Sequence, residues 1–224
     1  MRYGVLCALL ALSLGGAALT LGGVHLLWLW PALSLYVTAI AYFENQPRWL
    51  GKRPDGSLSW WSWALLGPWI SFSLAVAWAL RLVSRETPHA ELGGLRFGRR
   101  LGASELPRGI FQVIDLTAEL PEPRCLRSKG YVCIPMLDTR SLQAHELITR
   151  LSSVAGDDAT YVHCAQGHGR TGLVVAALLL MRGTANTRSE ALALIRAVRP
   201  AVRLSKEQHA TLGQIAELLS SPAS

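Results

Sequence analysis

The N-terminal part of this 224-residue chain is almost free of charge. From Tyr3 to Tyr42 there is no Asp, Glu, Lys or Arg, and His25 is the one histidine. The hydrocarbon core of a bilayer needs about 20 apolar residues per helix, so this stretch is long enough for two spans. Gly22-Gly23 is the natural break, which predicts helices at about 4–21 and 24–42. This stretch therefore indicates a membrane region rather than a soluble fold.

A second apolar stretch predicts a third span at about 61–83. All eight tryptophans lie before Arg81, and those at 28, 30, 60, 61 and 63 suit interfacial belts in which the indole N–H stays in water. Pro31 and Pro68 are expected to kink or end helices locally. We therefore expect a transmembrane region of two or three spans within 1–83.

The first apolar run is also compatible with a cleaved signal peptide. Arg2 precedes it, and small residues follow at 15–18, as at a cleavage site. A signal peptide does not need apolar residues far beyond that point, whereas this chain continues apolar to Tyr42. The longer run favours retained spans.

Past Val83 the composition changes to that of a globular domain. Residues 84–94 are polar and are predicted to form a juxtamembrane linker, followed by a domain at 95–224. The net charge of +7 is shared between both parts. Arg96, Arg99 and Arg100 would each favour anionic headgroups by about 1 kcal/mol near a membrane, although an ordinary solvated basic face explains them equally well.

Strand and helix patterns alternate within this domain. Strands are predicted at 110–116, at 131–134 with an end at Pro135, and at 159–163. Helices are predicted at 141–153 with Ser141 as N-cap, and at 170–181, 188–198 and 205–219. The alternation predicts an α/β fold with a sheet flanked by helices.

The string His163-Cys-Ala-Gln-Gly-His-Gly-Arg-Thr-Gly172 lies between a predicted strand and a predicted helix. Successive N–H groups in such a loop, together with the positive end of the helix dipole, bind anions. A nucleotide-binding loop would need a glycine at Cys164 and a lysine at Arg170, so that interpretation fails twice.

The string fits a cysteine-based phosphate loop. The Cys164 thiolate would attack phosphorus, Arg170 would add a planar fork to the equatorial oxygens, and Thr171 would donate its hydroxyl to the departing sulfur. The predicted phosphate-binding residues are Ala165, Gln166, Gly167, His168, Gly169 and Arg170.

These residues resemble the cysteine-dependent protein tyrosine phosphatase superfamily, and its dual-specificity branch above all. The match is complete at His163, Cys164, Arg170, Thr171 and Gly172, and the resemblance covers about 95–220. It implies that Asp138, on a loop after a strand, is the general acid. It also implies that Gln208 orients the hydrolytic water and that His163 orients the loop.

Several alternatives stay open at this point. Asp138 would suit a turn, Gln208 would suit a helix surface, and Asp115 and Asp157 are weaker acid candidates. A zinc site of His163, Cys164 and His168 is disfavoured because no further ligand has suitable spacing. Cys125 and Cys133 are expected to be ordinary buried thiols, although the resemblance allows a protective disulfide with Cys164.

Together these features predict a membrane-anchored phosphomonoester hydrolase with a phosphocysteine intermediate. A dual-specificity protein phosphatase is the first hypothesis, a phospholipid headgroup phosphatase the second, and a silent phosphate-binding module the third. We expect no metal or other cofactor, no nucleic-acid partner, and the lipid bilayer plus a phosphorylated protein or phospholipid as partners. Basic residues divide almost evenly between the two sides of the spans, but thiolate chemistry favours a cytoplasmic domain at the cell membrane.

Overall fold

The structure is a computed structural model that describes residues 2–128, 130–154 and 160–220. The chain divides into two compact units, Met1–Ser84 with Ala118–Pro121, and Arg85–Thr117 with Glu122–Ser224. The first unit is helical, and the second contains a mixed sheet and helices. Asp157, one of the alternative acid candidates, lies outside the described residues.

Three helices form the first unit. They are α1 (Arg2–Leu21), α2 (Leu29–Glu44), which follows a 3-10 helix at Gly23–Trp28, and α3 (Trp60–Val83). Within the described residues, three helical segments are long and apolar enough to cross a membrane, with mean hydropathies of 2.1, 1.6 and 1.5. They are Arg2–Leu21, Gly23–Glu44, which combines the 3-10 helix with α2, and Trp60–Val83. α2 packs against both α1 and α3. The prediction of two or three long apolar helices is confirmed, with three.

A proline inside α3 is compensated by side chains from α2. Pro68 has no N–H, so the carbonyl of Ala64 loses its intrahelical partner. The indole Nε1 of Trp30 donates to that carbonyl at 2.8 Å, and the Ser34 hydroxyl accepts the N–H of Trp69 at 3.2 Å. The Trp30 N–H thus has a partner within the protein, and its place at a membrane interface stays a prediction. An unpaired carbonyl in an apolar medium is costly, which explains why a side-chain donor meets this one.

The second unit is built on a five-stranded sheet with the order β1-β2-β5-β3-β4. Its strands are β1 (His89–Leu92), β2 (Leu95–Arg99), β3 (Gln112–Thr117), β4 (Gly130–Met136) and β5 (Thr160–Cys164). β1 pairs with β2 antiparallel, and every other neighbouring pair is parallel. The central strand β5 is buried along its whole length, so Cys164 emerges at the carboxyl edge of the parallel strands.

The first two strands correct the predicted linker at 84–94. Gly93 and Gly94 have φ values of 56° and 77° and make the tight turn between β1 and β2, a conformation that glycine adopts without steric cost. The sheet therefore begins at His89, and only 84–88 separate it from α3. The Gly-Gly pair, which is typical of two-residue hairpin turns, was the sequence signal for this hairpin.

The predicted end of a strand at Pro135 is also wrong. β4 continues through Pro135 to Met136, with a register shift between Asp115 and Thr117 on its neighbour β3. β4 is at the edge of the sheet, where a proline does not remove a hydrogen bond to a further strand.

Five helices complete the second unit: α4 (Arg124–Arg127), α5 (Ala144–Ser152), α6 (Gly169–Met181), α7 (Arg188–Val198) and α8 (Lys206–Ser220). Every residue of α6 from Arg170 to Leu179 is buried, which makes it the central helix of the core. Ser141 is not the N-cap of α5, because that helix starts at Ala144. Its hydroxyl instead lies 2.7 Å from the Thr211 hydroxyl on α8.

Candidate active site

The loop 165–168 joins β5 to α6, and Cys164 is the last residue of β5, directly before the loop. Cys164 is buried, and its Sγ accepts the N–H of Gly167 at 3.2 Å. Gly167 has φ 74°, and an added Cβ would overlap the backbone of Gly98, so only glycine fits there. α6 begins at Gly169, so its first-turn N–H groups and positive dipole end lie next to the loop. Such a loop at a helix N-terminus is typical of anion-binding sites.

Arg170 is fixed in the first turn of α6. Its side chain is 2% exposed, and Nη1 donates to the carbonyls of Met136 at 2.8 Å and Leu116 at 3.4 Å. Its Nε lies 3.7 Å from Oδ1 of Asp138. The ends of β3 and β4 thus hold a planar guanidinium beside the cysteine loop, with a carboxylate next to it.

Asp138 follows β4 on a loop that α8 fixes in place. The Asp138 side chain is 48% exposed and therefore accessible to a ligand. Ser205 donates its hydroxyl to the Thr139 carbonyl at 2.7 Å, and Arg140 pairs with Glu207 at 2.7 Å. The tertiary structure therefore brings Asp138 next to Arg170, and its role as the general acid stays a prediction.

Gln208 on α8 lies against the start of α6. Its side chain is buried, with Oε1 accepting the Ser205 N–H at 2.9 Å and Nε2 donating to the Arg140 carbonyl at 3.2 Å. A Cβ added to Gly169 would lie 3.0 Å from Gln208 Oε1. The alternative of a plain surface residue is therefore wrong.

Thr171 is buried directly after the arginine. Its Oγ1 forms no hydrogen bond within the described part of the chain. A buried hydroxyl without a partner is costly, which fits a group whose partner arrives during a reaction. The donor role of Thr171 stays a prediction.

A family model supplies the identity of this domain. The model described as PTP-SAK, Swiss Army Knife protein, DSP-PTPase phosphatase domain matches residues 100–214. The chain belongs to this family. The crystal structure of Tk-PTP in the active form is similar to this phosphatase domain at 26% identity and a TM-score of 0.51, covering 59% of this chain and 99% of that chain. No curated protein matches the chain.

Two human proteins share the fold of the phosphatase domain at lower identity. A single-residue variant of human DUSP28 has 18% identity and a TM-score of 0.54, covering 62% of this chain and all of that chain. Human tyrosine phosphatase-like serine/threonine/tyrosine-interacting protein has 17% identity and a TM-score of 0.51, covering 59% of this chain and 98% of that chain. The predicted dual-specificity phosphatase resemblance and the α/β fold are confirmed.

His163 lies under the phosphate loop in a buried charged network that the sequence did not reveal. Its Nε2 is 3.4 Å from Glu122 Oε1, and Arg100 Nε donates to the other oxygen of Glu122 at 3.3 Å. Both the His163 and Glu122 side chains are fully buried. Glu122 stands between two prolines in the sequence, so no local pattern connects it to His163. The orienting role of His163 stays a prediction.

Asp115 is a buried hydrogen-bond acceptor, and its alternative role as the acid is wrong. Oδ1 accepts from the N–H and hydroxyl of Thr117 at 2.8 and 2.7 Å, and Oδ2 accepts from the Tyr131 hydroxyl at 2.7 Å. Burial and the Asp115 charge raise the pKa of Tyr131 well above its ordinary value, so the phenol stays a donor. Atoms of Asp115, Glu122 and His163 lie within 4.8 Å of one another, but protein donors already engage both carboxylates.

Two further residues contact the phosphate loop. Arg199 is buried, and its Nε donates to the Gly167 carbonyl at 3.0 Å. Glu86 Oε2 lies 2.8 Å from His168 Nε2. The sequence analysis did not identify Arg199 as a site residue, and Glu86 fell within the predicted linker.

No disulfide joins any of the four cysteines, all of which lie in the described part of the chain. Cys7 and Cys164 are buried, Cys133 is half-buried and Cys125 is exposed. The expectation of a buried thiol is therefore wrong for Cys125.

Proposed function

We propose that this chain is a phosphomonoester hydrolase that works through a phosphocysteine intermediate. The observation that carries the proposal is the Cys164 sulfur at the start of a glycine-closed loop, where it accepts the Gly167 N–H at 3.2 Å beside a fixed Arg170. Loop N–H groups, the α6 dipole and the guanidinium would stabilise both the thiolate and the charge on the transferring phosphoryl group.

The first chemical step would transfer the phosphoryl group to sulfur. The Cys164 thiolate forms an S–P bond while the P–O bond to the leaving group breaks, and Asp138 gives its proton to the departing oxygen. The half-exposed Asp138 side chain, within 3.7 Å of Arg170, supports this role. Arg170 would hold two equatorial oxygens with its planar fork.

The second step would hydrolyse the phosphocysteine. Water attacks phosphorus, Asp138 accepts its proton, and the S–P bond breaks to return the thiolate and release phosphate. Gln208, whose amide adjoins the first residue of α6, would orient this water. The buried Thr171 hydroxyl would donate to the departing sulfur. These steps require no metal or other cofactor.

A phosphorylated protein is the substrate class that we favour, with dual specificity for phosphotyrosine and phosphoserine or phosphothreonine. The loop side chains Ala165 and Gln166 carry no charge, and His168 is engaged by Glu86. The loop therefore offers no fixed cation beyond Arg170 to a second phosphate, which favours a single phosphomonoester.

A phospholipid phosphatase is the second candidate, and the helices before the domain favour it. α3 ends at Val83, and the sheet starts at His89. Anchoring α1 to α3 in a membrane would hold the domain near headgroups at high effective concentration. We further propose that the domain is cytoplasmic, where the thiolate stays reduced. A C-terminal reporter that is active only outside the cytoplasm should give no signal, and strong signal would overturn this orientation.

The deciding experiment compares both substrate classes with one preparation. The full chain in detergent micelles is assayed against phosphopeptides carrying each phosphorylated residue and against mixed micelles of mono- and bisphosphorylated phospholipids, with Cys164→Ser as the blank. We expect turnover of phosphopeptides above that of any phospholipid. Turnover of phospholipids alone selects the second candidate. Absence of turnover with retained phosphate binding indicates a silent phosphate-binding module.

A further inference from the structure

The short segment between α3 and β1 carries an acidic residue that contacts two parts of the phosphate-loop region. Glu86 Oε2 lies 2.8 Å from His168 Nε2 and 3.0 Å from Arg199 Nη2. We call Glu86, His168 and Arg199 the latch. The segment itself is fixed, because the Pro88 carbonyl accepts the N–H of Arg99 on β2 at 3.0 Å.

Arg199 holds two carbonyls on the outer side of the phosphate loop. Its Nε donates to the Gly167 carbonyl at 3.0 Å, and Nη2 donates to the Gln166 carbonyl at 3.1 Å. Nη1 donates to the carbonyl of Thr87 at 2.9 Å, which connects the loop to the segment that contains Glu86. One buried guanidinium thus joins three main-chain carbonyls from two distant parts of the sequence.

The planarity of the peptide bond makes these contacts relevant to catalysis. In a trans peptide the C=O and the next N–H point in opposite directions. Holding the carbonyls of Gln166 and Gly167 towards Arg199 therefore turns the N–H groups of Gly167 and His168 the other way. The Gly167 N–H does point at the Cys164 sulfur, at 3.2 Å. Arg199 thereby fixes the direction of amides that the proposed reaction uses.

Glu86 supplies the charge that keeps Arg199 in this position. The Arg199 side chain is 4% exposed, and a buried guanidinium needs a compensating anion as well as carbonyl partners. The same carboxylate oxygen holds the His168 ring, so the phosphate loop is fixed at its last residue before α6.

We propose that Glu86 is a positioning residue for the phosphate loop, acting through Arg199 and His168. The inference rests on the proposed function, because it assigns the latch a role in binding and turning over a phosphoryl group. The segment that leaves the last apolar helix is then a part of the catalytic apparatus and not a passive tether.

The test measures phosphate binding separately from turnover. Inorganic phosphate protects Cys164 from alkylation by iodoacetamide when the loop is formed, and mass spectrometry reports modification of Cys164 alone. In the full chain in micelles, Glu86→Gln should weaken phosphate protection about 10-fold and lower kcat/KM for an aryl phosphate by a similar factor, since small displacements of positioned groups have effects of this size. Glu91→Gln, an exposed glutamate on β1 that pairs with Arg96, is the matched control and should change neither quantity.

Two further variants separate positioning from folding. Arg199→Lys keeps the charge but cannot donate to the three carbonyls at once, so phosphate protection should weaken while the thermal midpoint stays close to that of wild type. Glu86→Asp should restore part of the protection that Glu86→Gln loses. Combining Glu86→Gln with His168→Gln should weaken phosphate protection by less than the sum of the two single effects, because both changes remove the same contact.

The outcomes distinguish this inference from the proposed function. Protection within twofold of wild type in both Glu86→Gln and Arg199→Lys overturns the positioning role, whatever the turnover. A fall in protection that only follows a fall in thermal midpoint, with no rescue by Glu86→Asp, also overturns it. Wild-type protein that binds phosphate at Cys164 but turns over no substrate contradicts the proposed function and leaves the latch as a feature of an anion-binding loop.

Discussion

The helical unit and the phosphatase domain both bond polar side chains to backbone groups, but for different purposes. In the helices, Trp30 donates to the Ala64 carbonyl, which Pro68 leaves without an intrahelical partner. Ser34 accepts the N–H of Trp69 beside it. In the phosphatase domain, buried arginines such as Arg170 and Arg199 donate to main-chain carbonyls around the Cys164 loop. The first use satisfies the backbone of an apolar helix, and the second prepares a site for an anion.

This difference gives an expectation about mutations in the two units. Polar changes in the phosphatase site should reduce catalysis with little effect on the helices. Polar changes in the helices should reduce stability and leave the chemical step intact. Changes that do the opposite would show that the two units are not separate in function.

Replacement of the nucleophile should have the largest effect. Cys164→Ser removes the thiolate but leaves the backbone cradle in place, so we expect turnover to fall about 10⁴-fold or more, with phosphate binding retained. The control is Cys125→Ser, an exposed cysteine that should change nothing. Steady-state rates with an aryl phosphate test this, and a rate above about one hundredth of wild type would contradict the covalent mechanism.

Replacement of the loop arginine should have the next largest effect. Arg170→Lys keeps the charge but loses the planar two-pronged match to phosphate oxygens, so kcat/KM should fall about 10³-fold and phosphate should bind more weakly. Arg150→Lys, an exposed arginine paired with Glu146 on α5, is the control. Near-normal kinetics in Arg170→Lys would show that Arg170 has only a structural role, in which it joins α6 to the ends of β3 and β4.

Replacement of the acid should have an effect that depends on the substrate. Asp138→Asn removes the proton donor, so hydrolysis of alkyl phosphates such as phosphoserine should slow about 100-fold, and an activated aryl phosphate should slow much less. A comparison of kcat for both substrates provides its own control. Equal slowing of both would show that Asp138 acts on loop structure, and no slowing of either would leave it a turn residue.

The smallest effect is expected in the helices. Trp30→Phe removes the donor to the Ala64 carbonyl and should lower stability by about 1 kcal/mol with kcat unchanged. Gly67 leaves room for this indole, since an added Cβ would lie 2.9 Å from Trp30 Cζ2. Trp78→Phe, at an exposed tryptophan on α3, is the control, and thermal unfolding in micelles is the measurement. A loss of kcat in Trp30→Phe would show that the helices affect catalysis and that the two units do not function separately.

Much of this molecule is decided by short stretches of sequence. The apolar helices follow from uninterrupted runs such as Tyr3–Tyr42, because burial of apolar surface and hydrogen bonding within one helix need no distant partner. The phosphate loop follows from Cys164, Gly167 and Arg170, because spacing within one turn sets which groups surround an anion. The strands β3 and β5 and the helix α6 were predicted for the same local reason.

Other features were decided only by the tertiary structure. The hydrogen bond of Trp30 to Ala64, the approach of Asp138 to Arg170 and the latch of Glu86 with Arg199 each join residues far apart in the chain. Pro135 stays within a strand because β4 is at the sheet edge, a position that no local pattern specifies. Side-chain chemistry shows what a buried carbonyl or guanidinium needs, but any of several acids or donors could meet that need. The packing of the elements selects which one is within hydrogen-bond distance.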